Sequence, residues 1–229
     1  MDVNISFEVC SACQFTCDHC AHEGLMALDR HYNMSMDELE TFIRATEESG
    51  YQATLHMHGP GEPLLWKHLT EGLTRLRASP AIAGIYINSN GRALPKLLHI
   101  LDLVDKVKIS LYPNSKTEIV DHPKVIYNPH EYFLVKQFPA AVPCTCLCQG
   151  PMVYKDLVFT ECGPPLFDAL IRMNSGRHPL ALGRKLARGY ADAPKRPGIY
   201  EECAYCWANS NCETGVETHV LRRDKGEPA

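Results

Sequence analysis

Four cysteines follow directly on the first predicted strand, and they constrain the fold and chemistry of this chain more than any other feature. Residues 3–9 alternate apolar and polar side chains as a β-strand does. Cys10 comes next, and Cys13, Cys17 and Cys20 then lie in the run Cys-Gln-Phe-Thr-Cys-Asp-His-Cys. Three thiolates can hold a 4Fe-4S cluster and leave one iron without a protein ligand, whereas fully ligated clusters usually take four cysteines. An iron with a vacant site can bind a substrate or a cofactor.

Cys10 allows an alternative, in which all four thiols close a ferredoxin-type cluster or a zinc site. The intervening residues number two, three and two here, whereas the ferredoxin run has two, two and three and is followed by proline. Zinc sites prefer two separated pairs of ligands. The spacing therefore favours the open site with three cysteines over a closed one.

Composition indicates the class of protein and its surroundings. The chain has 229 residues, 45% hydrophobic and 22% charged, which is typical of one large globular domain or of one domain with a small appendage. A net charge of −4 without a basic stripe favours neither nucleic acid nor an anionic membrane surface as a partner. Because no secretory signal or long apolar stretch occurs, we expect a cytoplasmic protein. In that reducing compartment, 11 cysteines favour metal ligation over disulfides.

The cysteines are unevenly distributed along the chain. Four lie between positions 10 and 20, none between 21 and 143, and seven between 144 and 212. Two metal centres fit this distribution better than one, and the proline-containing run 139–143 suggests a boundary. We expect one domain over residues 1–143 and a second over 144–229.

Predicted strands and helices alternate in the first domain. Ser35 and Glu38 form the pattern of a capping box before a helix that ends near Gly50. Further strands are predicted at 54–57, 82–87 and 107–111, helices at 64–77 and 94–101, and shorter apolar runs at 125–127 and 132–135. This alternation predicts an α/β fold, with a parallel sheet covered by helices as an open or closed barrel. In such sheets, ligands bind at the carboxyl ends of the strands.

Polar residues stand at four successive predicted strand ends. The cysteines follow the first strand, Gly61 and Glu62 the second, and Asn88 and Asn90 the third, while Ser110 ends the fourth. Glycine lets the backbone approach a ligand closely, and the carboxylate of Glu62 could accept hydrogen bonds from an ammonium group. Taken singly, the Gly-Pro-Gly-Glu-Pro and Asn-Gly segments are ordinary turns. Their recurrence at consecutive strand ends favours a binding site.

These motifs together resemble the radical SAM enzymes, whose signature is three cysteines with this spacing after the first strand of a partial barrel. The family's Gly-Gly-Glu-Pro-Leu-Leu segment resembles residues 60–65, where Pro60 replaces the first glycine. The resemblance covers residues 3–112 and implies a partial (β/α)6 barrel. It implies a 4Fe-4S cluster on the cysteine trio and S-adenosylmethionine bound beside it, with contacts from Phe15, Gly61, Glu62, Asn88, Asn90 and Ser110.

By the same resemblance, Glu62 would orient the amino group of the cofactor and Ser110 would reach its ribose or carboxylate. Reduction of the cluster, by a donor such as flavodoxin or ferredoxin, would yield a 5′-deoxyadenosyl radical that abstracts a substrate hydrogen. The resemblance implies oxidation or epimerisation as the reaction. We expect a small polar natural-product intermediate as the substrate, because the chain begins at the first strand without a domain for binding a leader peptide. A peptide-modifying enzyme and a non-enzymatic electron carrier with two clusters are the alternatives.

The second group of cysteines suggests another metal site. Cys144, Cys146 and Cys148 precede a hairpin predicted at 154–162, and a Cys-x-x-Cys pair and Cys212 follow it. Four thiolates suit either zinc or an iron–sulfur cluster. The region resembles the twitch or SPASM appendage of radical SAM enzymes, although Leu157 stands where that appendage has a glycine. The resemblance implies the twitch form, with one auxiliary 4Fe-4S cluster. Its ligands would be Cys162, Cys203, Cys206 and one of Cys144, Cys146 or Cys148, of which Cys148 is favoured.

Overall fold

A computed structural model of the chain describes residues 2–15, 17, 20, 22, 26, 31–112, 117–129, 135–137, 152–155, 157–159, 184–185 and 216–219. Its strands are β1 (Asp2–Glu8), β2 (Gln52–Met57), β3 (Ile82–Ser89), β4 (Lys106–Leu111), β5 (Val125–Pro129), β6 (Val135–Gln137), β7 (Met152–Tyr154), β8 (Leu157–Phe159), β9 (Arg184–Lys185) and β10 (Val216–His219). Its α-helices are α1 (Met36–Ser49) and α2 (Leu69–Ala78), and 3₁₀ turns cover Pro63–Leu65, Leu94–Lys96 and Leu98–Asp102.

The main sheet has eight strands in the order β5-β4-β3-β2-β1-β7-β8-β9. Neighbouring strands from β5 to β7 run parallel, which makes six parallel strands, and β8 and β9 add antiparallel. The predicted α/β class is confirmed, and the parallel strands form the open sheet expected of a partial barrel. The hairpin predicted near Lys155 is also confirmed, and its first strand lies beside β1.

The two faces of the parallel sheet differ in character, because side chains alternate along each strand. One face is apolar and packs on the helices; the ring centroids of Phe7 on β1 and Phe42 on α1 lie 4.6 Å apart. The other face is polar, and Ser6, His56 and Tyr86 occupy neighbouring register positions on it. One face of the sheet is therefore covered by helices, and the other face is polar.

Helix α1 begins and ends as the sequence predicts. The Ser35 backbone N–H donates to Glu38 Oε2 at 2.7 Å, and the Glu38 N–H donates to Ser35 Oγ at 3.2 Å, so both bonds of the capping box are present. Gly50 ends the helix in the left-handed region, at φ 70°.

Two predicted helices were wrong in extent or type. The helix predicted at 64–77 begins only at Leu69, because the buried Trp66 leaves the helical path to donate its indole N–H to the Met34 carbonyl at 2.7 Å. The segment 94–101 forms two 3₁₀ turns, in which the Leu97 N–H bonds to Leu94 three residues back. Of the apolar run 132–135, only its last residue is described, as the start of β6, which pairs with β10. No helix among the described residues has the length and apolar character needed to cross a bilayer.

Candidate active site

The carboxyl ends of β1 to β4 surround one cavity of about 150 Å³. Each of these strand ends contributes side chains, as predicted from the alternation of strands and helices. The residues that line the cavity are Cys13, Phe15, Cys17, Cys20, His58, Gly59, Pro60, Gly61, Glu62, Asn88, Ser89, Asn90, Ser110 and Tyr112. All candidate site residues predicted in the first domain therefore lie at one place in the fold.

Cys10 does not line this cavity. Its side chain is fully buried, and its thiol donates a hydrogen bond to the Glu62 carbonyl at 3.2 Å. Burial, followed by the negative charge of Glu8, raises the pKa of Cys10 well above its ordinary value. Because the Cys10 sulfur is buried, bonds to the Glu62 carbonyl and does not line the cavity, the geometry opposes a closed four-cysteine site.

Cys13, Cys17 and Cys20 all face the cavity and are partly exposed. Cys13 Sγ accepts hydrogen bonds from the Phe15 backbone N–H at 3.5 Å and from Asn90 Nδ2 at 3.8 Å. Burial raises the pKa of Cys13, but a bound metal deprotonates its thiol ligands, and N–H donors on a sulfur favour the thiolate. The trio therefore has the donor type, the access and part of the hydrogen bonding that an iron–sulfur cluster requires.

The described residues include no group of three His, Cys, Asp or Glu side chains that converges on one metal ion. In a four-iron cluster each thiolate binds a different iron, so its three ligands need not meet at one point.

Glu62 lies at the centre of the site and is 3% exposed. Its Oε1 accepts hydrogen bonds from Ser89 Oγ at 2.7 Å and the Leu64 N–H at 3.1 Å, and its Oε2 accepts one from the Asn90 N–H at 2.8 Å. Burial raises its pKa, and the bonds from Asn90, Ser89 and Leu64 oppose that shift. Since a carboxylate can accept about four hydrogen bonds, one position remains for a cationic donor from the cavity.

The turn from Gly59 to Gly61 packs against the start of the cysteine segment. A Cβ on Gly61 would lie 1.7 Å from the Cys10 carbonyl oxygen, and one on Gly59 would lie 1.3 Å from Glu8 Oε2. Only glycine allows this approach. Glu8 is 2% exposed and accepts bonds from the backbone of Gly61 and Cys10, while its Oε2 has no partner among the described residues. Burial raises the pKa of Glu8 well above its ordinary value.

Phe15, Asn88 and Ser110, which the sequence also predicts as contacts, line the same cavity. Asn88 and Ser110 are half-buried on its wall. The rings of Phe15 and Tyr112 meet edge to face at 5.8 Å between centroids, and the Arg92 guanidinium lies 5.8 Å from the centre of the Phe15 ring. These rings form an apolar wall beside the three thiols that could contact a flat ring system.

Five lining residues lie outside the predicted set, namely His58, Gly59, Pro60, Ser89 and Tyr112. Tyr112 lies two positions after Ser110, so the two-residue period of a strand could have revealed it. Ser89 acts through its bond to Glu62, a long-range contact that no local pattern shows. His58 lies 3.1 Å from Ser6 Oγ, and burial, then the charge of His56, lower its pKa to about 4, so it is neutral at physiological pH. The cavity thus has carboxylate and thiol groups but no imidazolium, which suits a cationic ligand.

The auxiliary ligands predicted from the sequence lie outside the described residues. These are Cys148, Cys162, Cys203 and Cys206, and the predicted boundary at 139–143 lies outside them as well.

No protein-family model matches the chain. Among curated proteins, it is 34% identical over 87 residues to a GTP 3′,8-cyclase of Stenotrophomonas maltophilia, which covers 38% of this chain and 26% of that protein. A GTP 3′,8-cyclase of Pelotomaculum thermopropionicum is 31% identical over 110 residues, covering 47% of this chain and 33% of that protein. The chain therefore matches about a quarter to a third of the length of these relatives.

Two solved structures of BtrN are also similar. The complex with AdoMet and 2-DOIA aligns with a TM-score of 0.49 at 22% identity over 56% of each chain. The open conformation aligns with a TM-score of 0.47 at 22% identity over 59% of this chain and 62% of BtrN.

Proposed function

We propose that this chain is a radical SAM enzyme and that it binds S-adenosylmethionine at a 4Fe-4S cluster held by Cys13, Cys17 and Cys20. One observation carries the proposal: these three thiols open into one cavity, while Cys10 is buried and hydrogen-bonded elsewhere. When bound, the cluster would pass one electron to the sulfonium, which breaks a carbon–sulfur bond and yields methionine and a 5′-deoxyadenosyl radical. The bound cofactor would thus supply the group that takes a hydrogen atom from the substrate, with 5′-deoxyadenosine as the product.

The protein's own part in this reaction is to bind and orient. Glu62 offers a buried carboxylate with room for one more donor, which suits the ammonium group of the cofactor. Phe15 and Tyr112 form the apolar wall against which the adenine would pack. Asn88 and Ser110 lie on the cavity wall, where their side chains could bond to the ribose or the carboxylate.

The polar face of the sheet supports a small polar substrate. Tyr86 precedes Asn88 on the same face of β3, and its ring stacks on His56 with 5.3 Å between centroids. Lys108 is exposed on β4 at the register position of Asn88. A substrate held on this face would have hydrogen-bonding partners beside the cofactor. We propose that the reaction oxidises or epimerises such a molecule, as one step of a natural-product synthesis.

The proposed enzyme also needs electrons. A flavodoxin or ferredoxin would supply the first, and in an oxidation the substrate radical must lose a further electron. We propose that an auxiliary 4Fe-4S cluster on Cys148, Cys162, Cys203 and Cys206 accepts it.

The test begins with anaerobic purification and a count of iron and sulfide, where two four-iron clusters give about eight irons per chain. A loaded, reduced sample with S-adenosylmethionine should release 5′-deoxyadenosine, and Cys17→Ala should abolish that release. Ser35→Ala, altered only at the helix cap, is the matched control and should keep it. Absence of 5′-deoxyadenosine from a fully loaded wild-type sample would refute the proposed function.

A further inference from the structure

Asn90 contacts both the Glu62 carboxylate and the Cys13 thiol. It lies just after β3 and is 5% exposed. Its backbone N–H donates to Glu62 Oε2 at 2.8 Å, and its side-chain Nδ2 lies 3.8 Å from Cys13 Sγ. One residue thus touches both the carboxylate and the first thiol of the trio.

The orientation of the Asn90 side chain follows from its other bonds. Its Oδ1 accepts the Arg92 backbone N–H at 3.0 Å, which identifies that end of the amide as the oxygen. The opposite end must then be the NH₂ group. One of its hydrogens meets Gln14 Oε1 at 3.0 Å, and the other is available to Cys13 Sγ.

The backbone of Asn90 is held as well. Its N–H is bonded to Glu62, and its carbonyl accepts Thr117 Oγ–H at 3.1 Å. Because the residue is buried and bonded on all sides, the amide cannot turn its donor away from the sulfur without losing another bond.

A donor held on this sulfur has a consequence for electron transfer. Hydrogen bonds to the sulfurs of an iron–sulfur cluster help to set its reduction potential. An N–H group stabilises the more negative, reduced state more than the oxidised state, so it makes reduction easier.

We propose that Asn90 is a positioning residue that raises the reduction potential of the 4Fe-4S cluster by holding an amide N–H against the Cys13 sulfur. The inference rests on the proposed function, since it presupposes a cluster on the trio. It gives Asn90 a role beyond the contact with S-adenosylmethionine that the sequence suggests.

The test is a redox titration of the anaerobically loaded protein without S-adenosylmethionine, followed by electron paramagnetic resonance. Asn90→Ala removes the donor, and Asn90→Asp keeps the acceptor for Arg92 but turns an oxygen towards Cys13. We expect the reduction equilibrium to become about tenfold less favourable in Asn90→Ala, which is about 59 mV for one electron, and more so in Asn90→Asp. Gln14→Ala is the matched control: it removes the other partner of the NH₂ group and should titrate as the wild type does.

Wild-type protein labelled with ¹⁵N only in asparagine gives a second readout that needs no variant to fold. Electron spin-echo spectroscopy of the reduced cluster should show a ¹⁵N coupling that Asn88→Ala retains. Unchanged potentials in both Asn90 variants, or no asparagine coupling in the wild type, would overturn the inference while leaving the proposed function intact. Failure of the wild type to assemble any cluster on the trio would instead refute the proposed function itself.

Discussion

Replacing Cys10 separates the open cluster site from the closed one. If Cys10 only packs and bonds to the Glu62 carbonyl, Cys10→Ala removes one buried sulfur and one weak hydrogen bond. The Glu62 carbonyl keeps its bond to the Leu65 N–H at 2.9 Å, so no buried acceptor is left unpaired. The variant should therefore fold and bind as much iron as the wild type.

The cost of Cys10→Ala can be worked out from its surroundings. Removing a buried group the size of a methylene costs about 0.8 kcal/mol, and a weak thiol hydrogen bond adds about 0.5 kcal/mol. A total of about 1.3 kcal/mol lowers the melting temperature of a chain of this length by roughly 3 to 5 °C. By contrast, Cys13→Ala removes a partly exposed side chain, so the metal-free protein should lose less stability.

The assay pairs thermal unfolding of the metal-free proteins with iron and sulfide analysis after anaerobic reconstitution. We expect opposite effects in the two variants. Cys10→Ala should be less stable than the wild type but bind the full amount of iron. Cys13→Ala should be nearly as stable as the wild type but unable to hold the cluster of the trio. Cys10→Ser keeps a donor for the Glu62 carbonyl and should fall between wild type and Cys10→Ala in stability. Loss of four irons per chain in Cys10→Ala would mean that Cys10 is a ligand, and it would refute a cluster site that is held by three cysteines and open at the fourth iron.

Three further changes test the surroundings of the site. Burial raises the folded-state pKa of Glu8, so the wild type should lose stability as pH rises above about 4.3, the pKa of a free glutamate. In urea unfolding, the stability of Glu8→Gln relative to the wild type should therefore increase between pH 5 and pH 8. A stability difference that stays constant over this range would contradict the prediction. Gly61→Ala would push a Cβ against the Cys10 carbonyl and should reduce cluster loading. The control Gly50→Ala meets no atom within 4 Å and should cost only about 1 kcal/mol of backbone strain. Equal cluster loading in the two variants would be inconsistent with the packing of Gly61. Ser35→Ala should cost about 1 kcal/mol in urea unfolding through loss of the helix cap, and a change in iron content would be unexpected.

The parts of the fold that follow from local patterns could be predicted from the sequence. The strands β1 to β4 alternate in hydrophobicity, and the cap of α1 is a local motif at Ser35 and Glu38. The start of α2 could not be predicted, because Trp66 bonds to a carbonyl 32 residues away and ends the local helical pattern. Segment 94–101 has a helical distribution of apolar residues, yet the chain takes the tighter 3₁₀ form there.

The sequence predicts which residues line the cavity better than it predicts what each of them contacts. Strand-end reasoning brought the cysteine trio, Glu62 and Ser110 to the same edge of the sheet, and the cavity contains them all. Spacing alone could not show which way Cys10 faces, since its orientation depends on a contact with the loop after β2. The bonds of Asn90 likewise join segments that lie far apart in the sequence.

Glu62 explains how these separate loops can form one site before any cofactor binds. Its backbone N–H donates to the Ala12 carbonyl at 2.7 Å, which fixes the cysteine segment beside the loop after β2. Its carbonyl accepts the Cys10 thiol, and its carboxylate accepts the donors at the end of β3. Burial raises the pKa of that carboxylate even though Asn90, Ser89 and Leu64 donate to it, so burying its charge is costly. A cofactor with an ammonium group would supply a counter-charge, so the residue that joins the loops would itself be stabilised by binding.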